Sequence, residues 1–314
     1  MTQTHTPICP KCGYDQSGEI ATWSTQCPLT GTCPECGLDF QWFNVLNPDH
    51  TKIHWYTEHA PNFISTIKRT PSTLLRLILP PIFWRRIPIT AAITIPMLIK
   101  WCFLLILIAH LLASVCSGFG RWKAIDSWYY GTVDRIYSVG GLMGITEIII
   151  NALFAPFITV SPTGAGVRQM TIQLGSPYGE SVEKLIVIPS LALGATLFWF
   201  LVMVVIPTTR RLSKLRFVHL SRAFILCFTA VVLHFEFIRG ISGLDMFAGS
   251  RTGWHDTLQI YSIFIMLLWH LLFWPSAIFC TWKIRPAWLL IILGSIAAFL
   301  GALVTIFFIG NLFS

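Results

Sequence analysis

The pattern of apolar and polar positions divides the chain. From about residue 95 onward, long apolar runs alternate with short polar ones, at about 95–117 (IPMLIKWCFLLILIAHLLASVCS), 185–206, 223–241, 258–280 and 287–310. A membrane-crossing helix needs about 20 mostly apolar residues, and each of these runs meets that length. A sixth run, 136–160, is weaker. It contains Gly140, Gly141 and Gly144, then Glu147 and Asn151 one turn apart, then Pro156. Upstream, residues 41–94 form a connector in which aromatic residues (Trp42, Phe43, Trp55, Tyr56, Phe63, Phe83, Trp84) are mixed with prolines at 48, 61, 71, 80 and 81 and with Lys52, Lys68, Arg69, Arg76, Arg85 and Arg86. Its stretch STLLRLILPPIFWRR is too short to span and is broken by Pro80-Pro81. It reads as an amphipathic segment lying on a membrane interface, its basic residues either fixing topology or meeting anionic lipid. Residues 1–40 are of a third kind, rich in turns and in cysteine.

Composition agrees with the pattern. Of 314 residues, 54% are hydrophobic and only 11% charged, against about 25% in an ordinary soluble domain. The 23 Phe and 13 Trp suit lipid-facing surfaces and interfacial belts. The net charge of +8 then speaks of topology and anionic lipid more than of nucleic acid. The expected fold class is mainly α: a polytopic transmembrane helical bundle with a small N-terminal ribbon.

Charge also arbitrates the weak run. Arg210, Arg211, Lys214, Arg216 and Arg222 follow the 185–206 run with no acid among them, and Lys283 and Arg285 lie between the last two. The positive-inside rule puts both loops on the cytosolic side with the basic connector, and the Asp245/Asp256 loop outside. That requires an even number of crossings between 86 and 210. Five spans are therefore expected, with 136–160 amphipathic or re-entrant; six is the alternative if it crosses. The start, MTQTHTPICPKC, has neither the basic nor the apolar stretch of a secretory signal, so the N-terminus is expected in the cytosol.

The chemistry with the clearest signature lies at 1–40. Cys9/Cys12 and Cys33/Cys36 are two Cys-x-x-Cys pairs with 20 residues between the inner cysteines. Four thiolates on two tight turns match the tetrahedral preference of a structural zinc ion, and cytosolic thiols stay reduced. Gly13 and Gly37 follow each pair where a positive φ is often needed. Cys27 fits the spacing poorly. Cys102, Cys116, Cys227 and Cys280 sit in apolar runs and read as small buried hydrophobes.

Ionisable residues within the apolar runs are the other candidates: Lys100, His110, His234, Glu236, Arg239 and His270, with Glu147 in the weak run. Glu236 and Arg239 are i and i+3 and can pair. A shared path through His234, Glu236 and His270 is opposed by helix geometry, which sets His234 and Glu236 about 200° apart. No HExxH, GxSxG or Walker sequence is present, so an enzyme is not expected. On the last run, Gly294, Ala298 and Ala302 form a small-residue row, suited to internal packing or to a homo-oligomer face.

The run CPKCGYDQSGEIATW…CPLTGTCPECGLDFQW, the connector ending FWRR, the loop LRFVHLSRAF and the final pair joined by TWKIRPAW resemble a group of uncharacterised bacterial integral membrane proteins with an N-terminal zinc ribbon. The resemblance implies an inner-membrane protein with a cytosolic ribbon and zinc on Cys9, Cys12, Cys33 and Cys36. By span count and layout alone, the body is also similar to the Yip-family membrane proteins. The leading functional expectation is a membrane-anchored interaction or scaffold protein whose ribbon binds a cytosolic protein. The alternative is a small-molecule or ion transporter. Nucleic acid is disfavoured, because residues 13–32 hold Asp15 and Glu19 and no Lys or Arg.

Overall fold

The computed structural model describes residues 6–24, 26–128, 142–154, 158–162, 170–174, 182–206, 213–248, 254–284 and 287–313. The chain is mainly helical. Its elements are α1 (Ser17–Ala21), β1 (Thr30–Thr32), β2 (Asp39–Gln41), α2 (Trp42–Leu46), α3 (Phe63–Ile78), α4 (Pro80–Arg85), α5 (Ile95–Trp128), α6 (Leu142–Phe154), β3 (Ile158–Pro162), β4 (Met170–Leu174), α7 (Val182–Val205), α8 (Phe217–Ala248), α9 (Trp254–Ser276, prolonged by a π-helical turn Ala277–Trp282) and α10 (Ala287–Phe313).

Among the described residues, four helical stretches are long and apolar enough to cross a membrane: Ile95–Gly120, Phe217–Asp245, Phe264–Trp282 and Ala287–Thr305. This fits a membrane protein. The expected 185–206 span falls on α7 (Val182–Val205), within which Ser190–Val205 is an apolar helical stretch, and the fifth span is not confirmed. Helix α6, at 13 residues, rises about 20 Å against a hydrocarbon core of about 30 Å. Strands β3 and β4 pair antiparallel with Val160 opposite Ile172. The rest of the expected 136–160 run, including Gly140, Gly141 and Pro156, lies outside the described residues, as do Arg210 and Arg211.

The chain divides into two compact units. The first comprises Met1–Cys102, Thr196–Cys227 and Trp269–Ala298. Its N-terminal part is a miniature core of Cys9, Cys33, Phe40, Trp42 and Val45, with Ile20, Trp23 and Leu38 packed against it. Strands β1 and β2 are antiparallel with Gly31 opposite Phe40. Gly31 is a glycine because the Trp42 indole lies where a Cβ would be, 2.6 Å from its Nε1. The rest of the unit is held by rings. Phe83 meets Trp55, Tyr56 and Trp84, and Trp84 meets Phe273 and Trp282, at centroid distances of 5.3–6.1 Å. Trp199 and Trp274 stack at 5.5 Å, and Gly294 leaves room for the Trp199 ring.

The second unit comprises Phe103–Ala195, Phe228–Leu268 and Phe299–Ser314. Here α5 and α8 approach through glycine. A Cβ on Gly243 would lie 2.6 Å from the carbonyl carbon of Cys116 and the nitrogen of Ser117, and Gly120 faces the Gly243 carbonyl. Small residues at a crossing let backbones come this close in lipid, where packing must replace the hydrophobic effect.

Candidate metal centre

The two Cys-x-x-Cys turns are built alike. Cys9 N–H donates to the Tyr14 carbonyl at 2.8 Å and Gly13 N–H to the Cys9 carbonyl at 2.9 Å. In the second turn Cys33 N–H donates to Leu38 at 2.9 Å and Gly37 N–H to Cys33 at 2.9 Å. Each turn closes through a glycine at positive φ, 82° for Gly13 and 64° for Gly37, where a side chain would be strained. The repeated fold-back turns both pairs of thiols toward one point. The ligand atoms of Cys9, Cys12, Cys33 and Cys36 all lie within 4.8 Å of one another and could hold a metal ion. Cys9 Sγ is 3.6 Å from Cys36 Sγ, and Cys12 Sγ is 3.6 Å from Cys33 Sγ. Cys27 is exposed and stands apart, its thiol against the Pro28 carbonyl.

Without an ion the thiols are unequal. Burial raises Cys12 well above the ordinary thiol range, offset in part by the backbone at Tyr14, with the Cys9 thiol raising it further. Burial likewise pushes Cys36 up to about 11. At Cys33 burial is outweighed by the backbone N–H groups of Cys36 and Glu35 and by the Cys12 and Cys9 thiols, which bring it down to about 7. A divalent cation would hold all four as thiolates.

What sequence reasoning missed is the surface on which these turns rest. Between α7 and α8 the short stretch 213–216 and the first turns of α8 form a basic strip. Arg216 N–H donates to the Lys11 carbonyl at 2.9 Å, and His219 Nε2 lies 2.9 Å from the Pro10 carbonyl. The Arg216 side chain runs against Gly13, whose missing Cβ would lie 3.3 Å from its Cδ. Lys214, held at φ 47°, donates to the Glu35 carboxylate at 2.7 Å and to the Glu35 carbonyl. Pro10 and Lys11 lie inside the first cysteine turn and Glu35 inside the second, so one strip grips both.

The strip continues inward. Arg222 is 2% exposed and Glu58 1%. They pair at 2.9 Å, and Arg222 also donates to the Ala92 carbonyl. Glu58 Oε1 accepts from Thr94 N–H at 2.7 Å, and the Glu58 carbonyl accepts from the Thr94 hydroxyl at 2.6 Å. Beside them His59 Nδ1 accepts from Ile53 N–H at 2.7 Å, and its Nε2 donates to Ala92 at 2.7 Å. Burial holds the His59 pKa below its usual 6.5. The sequence signal for this cluster is a row of basic residues at three-residue steps, Arg216, His219 and Arg222, leading into the start of α8.

Of the ionisable residues within the apolar helices, Glu236 does not share its partners with His234. Glu236 instead pairs with His110 Nδ1 and with Arg239, each at 2.9 Å. Arg239 further donates to the His110 carbonyl at 2.9 Å and to Ser114 Oγ at 2.8 Å. His270 is buried beside Cys227, with Sγ 3.6 Å from Nδ1. The physical reason is the one helix geometry gives: residues two apart on α8 face different neighbours.

No family model matches the chain, and neither a curated protein nor a solved structure matches it. The comparisons therefore lend no support to a Yip-like body or to a bacterial source. What stands is a mainly helical, membrane-type protein with a four-cysteine cluster able to hold a metal ion.

Proposed function

We propose that this is a membrane-anchored scaffold protein, in which a zinc-closed ribbon is fixed at the cytosolic face and presents a surface to a protein partner. The observation that carries the reading is the grip of Lys214, Arg216 and His219 on both cysteine turns. A ribbon tethered only by a flexible linker would need no such strip. Four cysteines and no open position suit zinc in a structural role. With its cysteine turns occupied, the ribbon still exposes Tyr14, Leu29, Phe43 and Leu46, an apolar set that polar water does not favour. Reduced thiols and the basic flanks favour the cytosolic side.

The test places a photo-crosslinking phenylalanine analogue at Leu29 or Phe43 in membranes. A discrete protein adduct is expected. It should vanish when Cys9→Ser and Cys12→Ser remove the metal site while the helices remain inserted. An unchanged adduct in that variant would sink the reading.

A second reading, ion transport, draws on the Glu236–His110–Arg239 network within the apolar helices, where such groups are costly and often functional. It expects proton flux into proteoliposomes that Glu236→Gln abolishes; equal flux in both proteins would remove it.

A further inference from the structure

Helix α3 is amphipathic in the inverted sense. Its buried side carries hydroxyls: Thr66 and Thr73 are buried there with Leu77, Thr73 Oγ1 donates to the Trp55 carbonyl at 3.1 Å, and Thr70 Oγ1 accepts from Trp101 Nε1 at 3.0 Å. Arg69 donates to the His59 carbonyl at 2.9 Å, and Arg76 lies over the Trp55 ring at 4.5 Å. The outward side is apolar. Phe63, Ile64, Ile67, Leu75 and Ile78 are each more than half exposed, and Ile82 of α4 continues the row. At about 100° per residue the five fall within roughly 120° of arc, opposite the buried threonines. A helix on a water-facing surface would be turned the other way.

We infer that α3 and α4 lie in the headgroup region of a bilayer leaflet, apolar row inward to the acyl chains, and that this surface selects anionic lipid. Two observations name lipid as the occupant. The first is continuity: Trp101, which bonds to Thr70, belongs to the apolar stretch Ile95–Gly120, so α3 is fastened to the start of a helix fit to cross the membrane. The second is charge. Lys68 borders the apolar row, Arg85 and Arg86 are exposed after Ile82, and the sequence has no Asp or Glu between Glu58 and Asp126. Basic residues beside an apolar face are what an anionic leaflet attracts. The inference requires the membrane class of the protein and is independent of the ribbon's partner.

The experiment uses the full chain in vesicles of phosphatidylcholine with or without phosphatidylglycerol, with the photo-crosslinking analogue replacing Ile67, Leu75 or, as control, Leu29. Lipid adducts are expected at Ile67 and Leu75 and not at Leu29. They should fall severalfold without phosphatidylglycerol, or when Lys68→Gln, Arg85→Gln and Arg86→Gln are combined. Hydrogen exchange across 63–78, in the unaltered protein, should slow in the anionic vesicles. Crosslinks to a second copy of the chain, adducts no stronger than at Leu29, or adducts and exchange indifferent to lipid charge would each overturn the inference.

Discussion

Arg222 and Glu58 form a buried ion pair in the first unit. Each is almost wholly buried, and the Arg222 guanidinium spans the Glu58 carboxylate and the Ala92 carbonyl. Removing one partner leaves the other charged and without its counter-ion, a change that typically costs about 3–5 kcal/mol, whereas replacing both by apolar groups is often near neutral. Arg222→Leu should therefore lower the thermal midpoint far more than Glu58→Leu combined with Arg222→Leu. Equal losses would mean that the pair itself is not what the site demands. His59 supplies the pH dependence of the same cluster. Its folded-state pKa lies below its usual 6.5, so the unfolded chain takes up a proton that the folded chain refuses. The stability it contributes is whole above about pH 6.5 and is lost as pH falls from there toward the folded value. Protonation would also cancel the bond from Ile53 N–H, which needs a lone pair on Nδ1. A pH series of unfolding midpoints should fall below pH 6.5, and His59→Gln should flatten that branch.

At the level of elements, close approach separates glycines that must be glycine from those that need not be. Gly243 sits where α8 meets the α5 backbone, and the atoms a Cβ would strike are main-chain atoms that cannot rotate away. Gly243→Ala should cost roughly 1–3 kcal/mol or more by overpacking. Gly18, in the exposed α1, has nothing within 4 Å of a Cβ, so Gly18→Ala should be neutral or gain up to about 1 kcal/mol. Paired thermal unfolding in nanodiscs measures the contrast. Local pattern made some elements legible in advance and left others hidden. Apolar runs announced α5, α8, α9 and α10, because lipid demands length and composition that show in sequence. The positive φ of Gly13 and Gly37 followed from the turn each must make. The direction in which α3 faces did not follow, since an amphipathic pattern says that a helix has two sides and not which one meets solvent.

For the molecule as a whole, the basic residues show why sequence alone undersold the site. In the sequence, Lys214, Arg216 and Arg222 read as charges that fix topology. The fold gives them partners in Glu35, in the Lys11 backbone and in Glu58, all distant along the chain. Spacing identifies ligands that close a turn locally, but a partner about two hundred residues away leaves no spacing to read. The consequence is a coupling between metal and docking. The carbonyls of Pro10 and Lys11 and the side chain of Glu35 can meet the strip only while the cysteine turns keep their shape. Among the described residues the apolar core around them is small: Phe40, Trp42 and Val45 beside the buried cysteines, with Ile20, Trp23 and Leu38 packed against them. In such small domains bound metal supplies most of the folding free energy. A strong chelator should therefore release the ribbon from the strip while the helices persist. A zero-length carbodiimide crosslink between Lys214 and Glu35 should form when the metal-loaded protein is treated, fail to form when the chelator is added before the carbodiimide, and form again once zinc is restored before treatment, with far-ultraviolet circular dichroism nearly constant. Lys214→Glu should abolish the crosslink yet leave metal content at one ion per chain, since a solvent-screened surface pair contributes little and the contacts of Arg216 and His219 remain. A crosslink that still forms in full yield after the metal has been removed would show that docking does not depend on the metal.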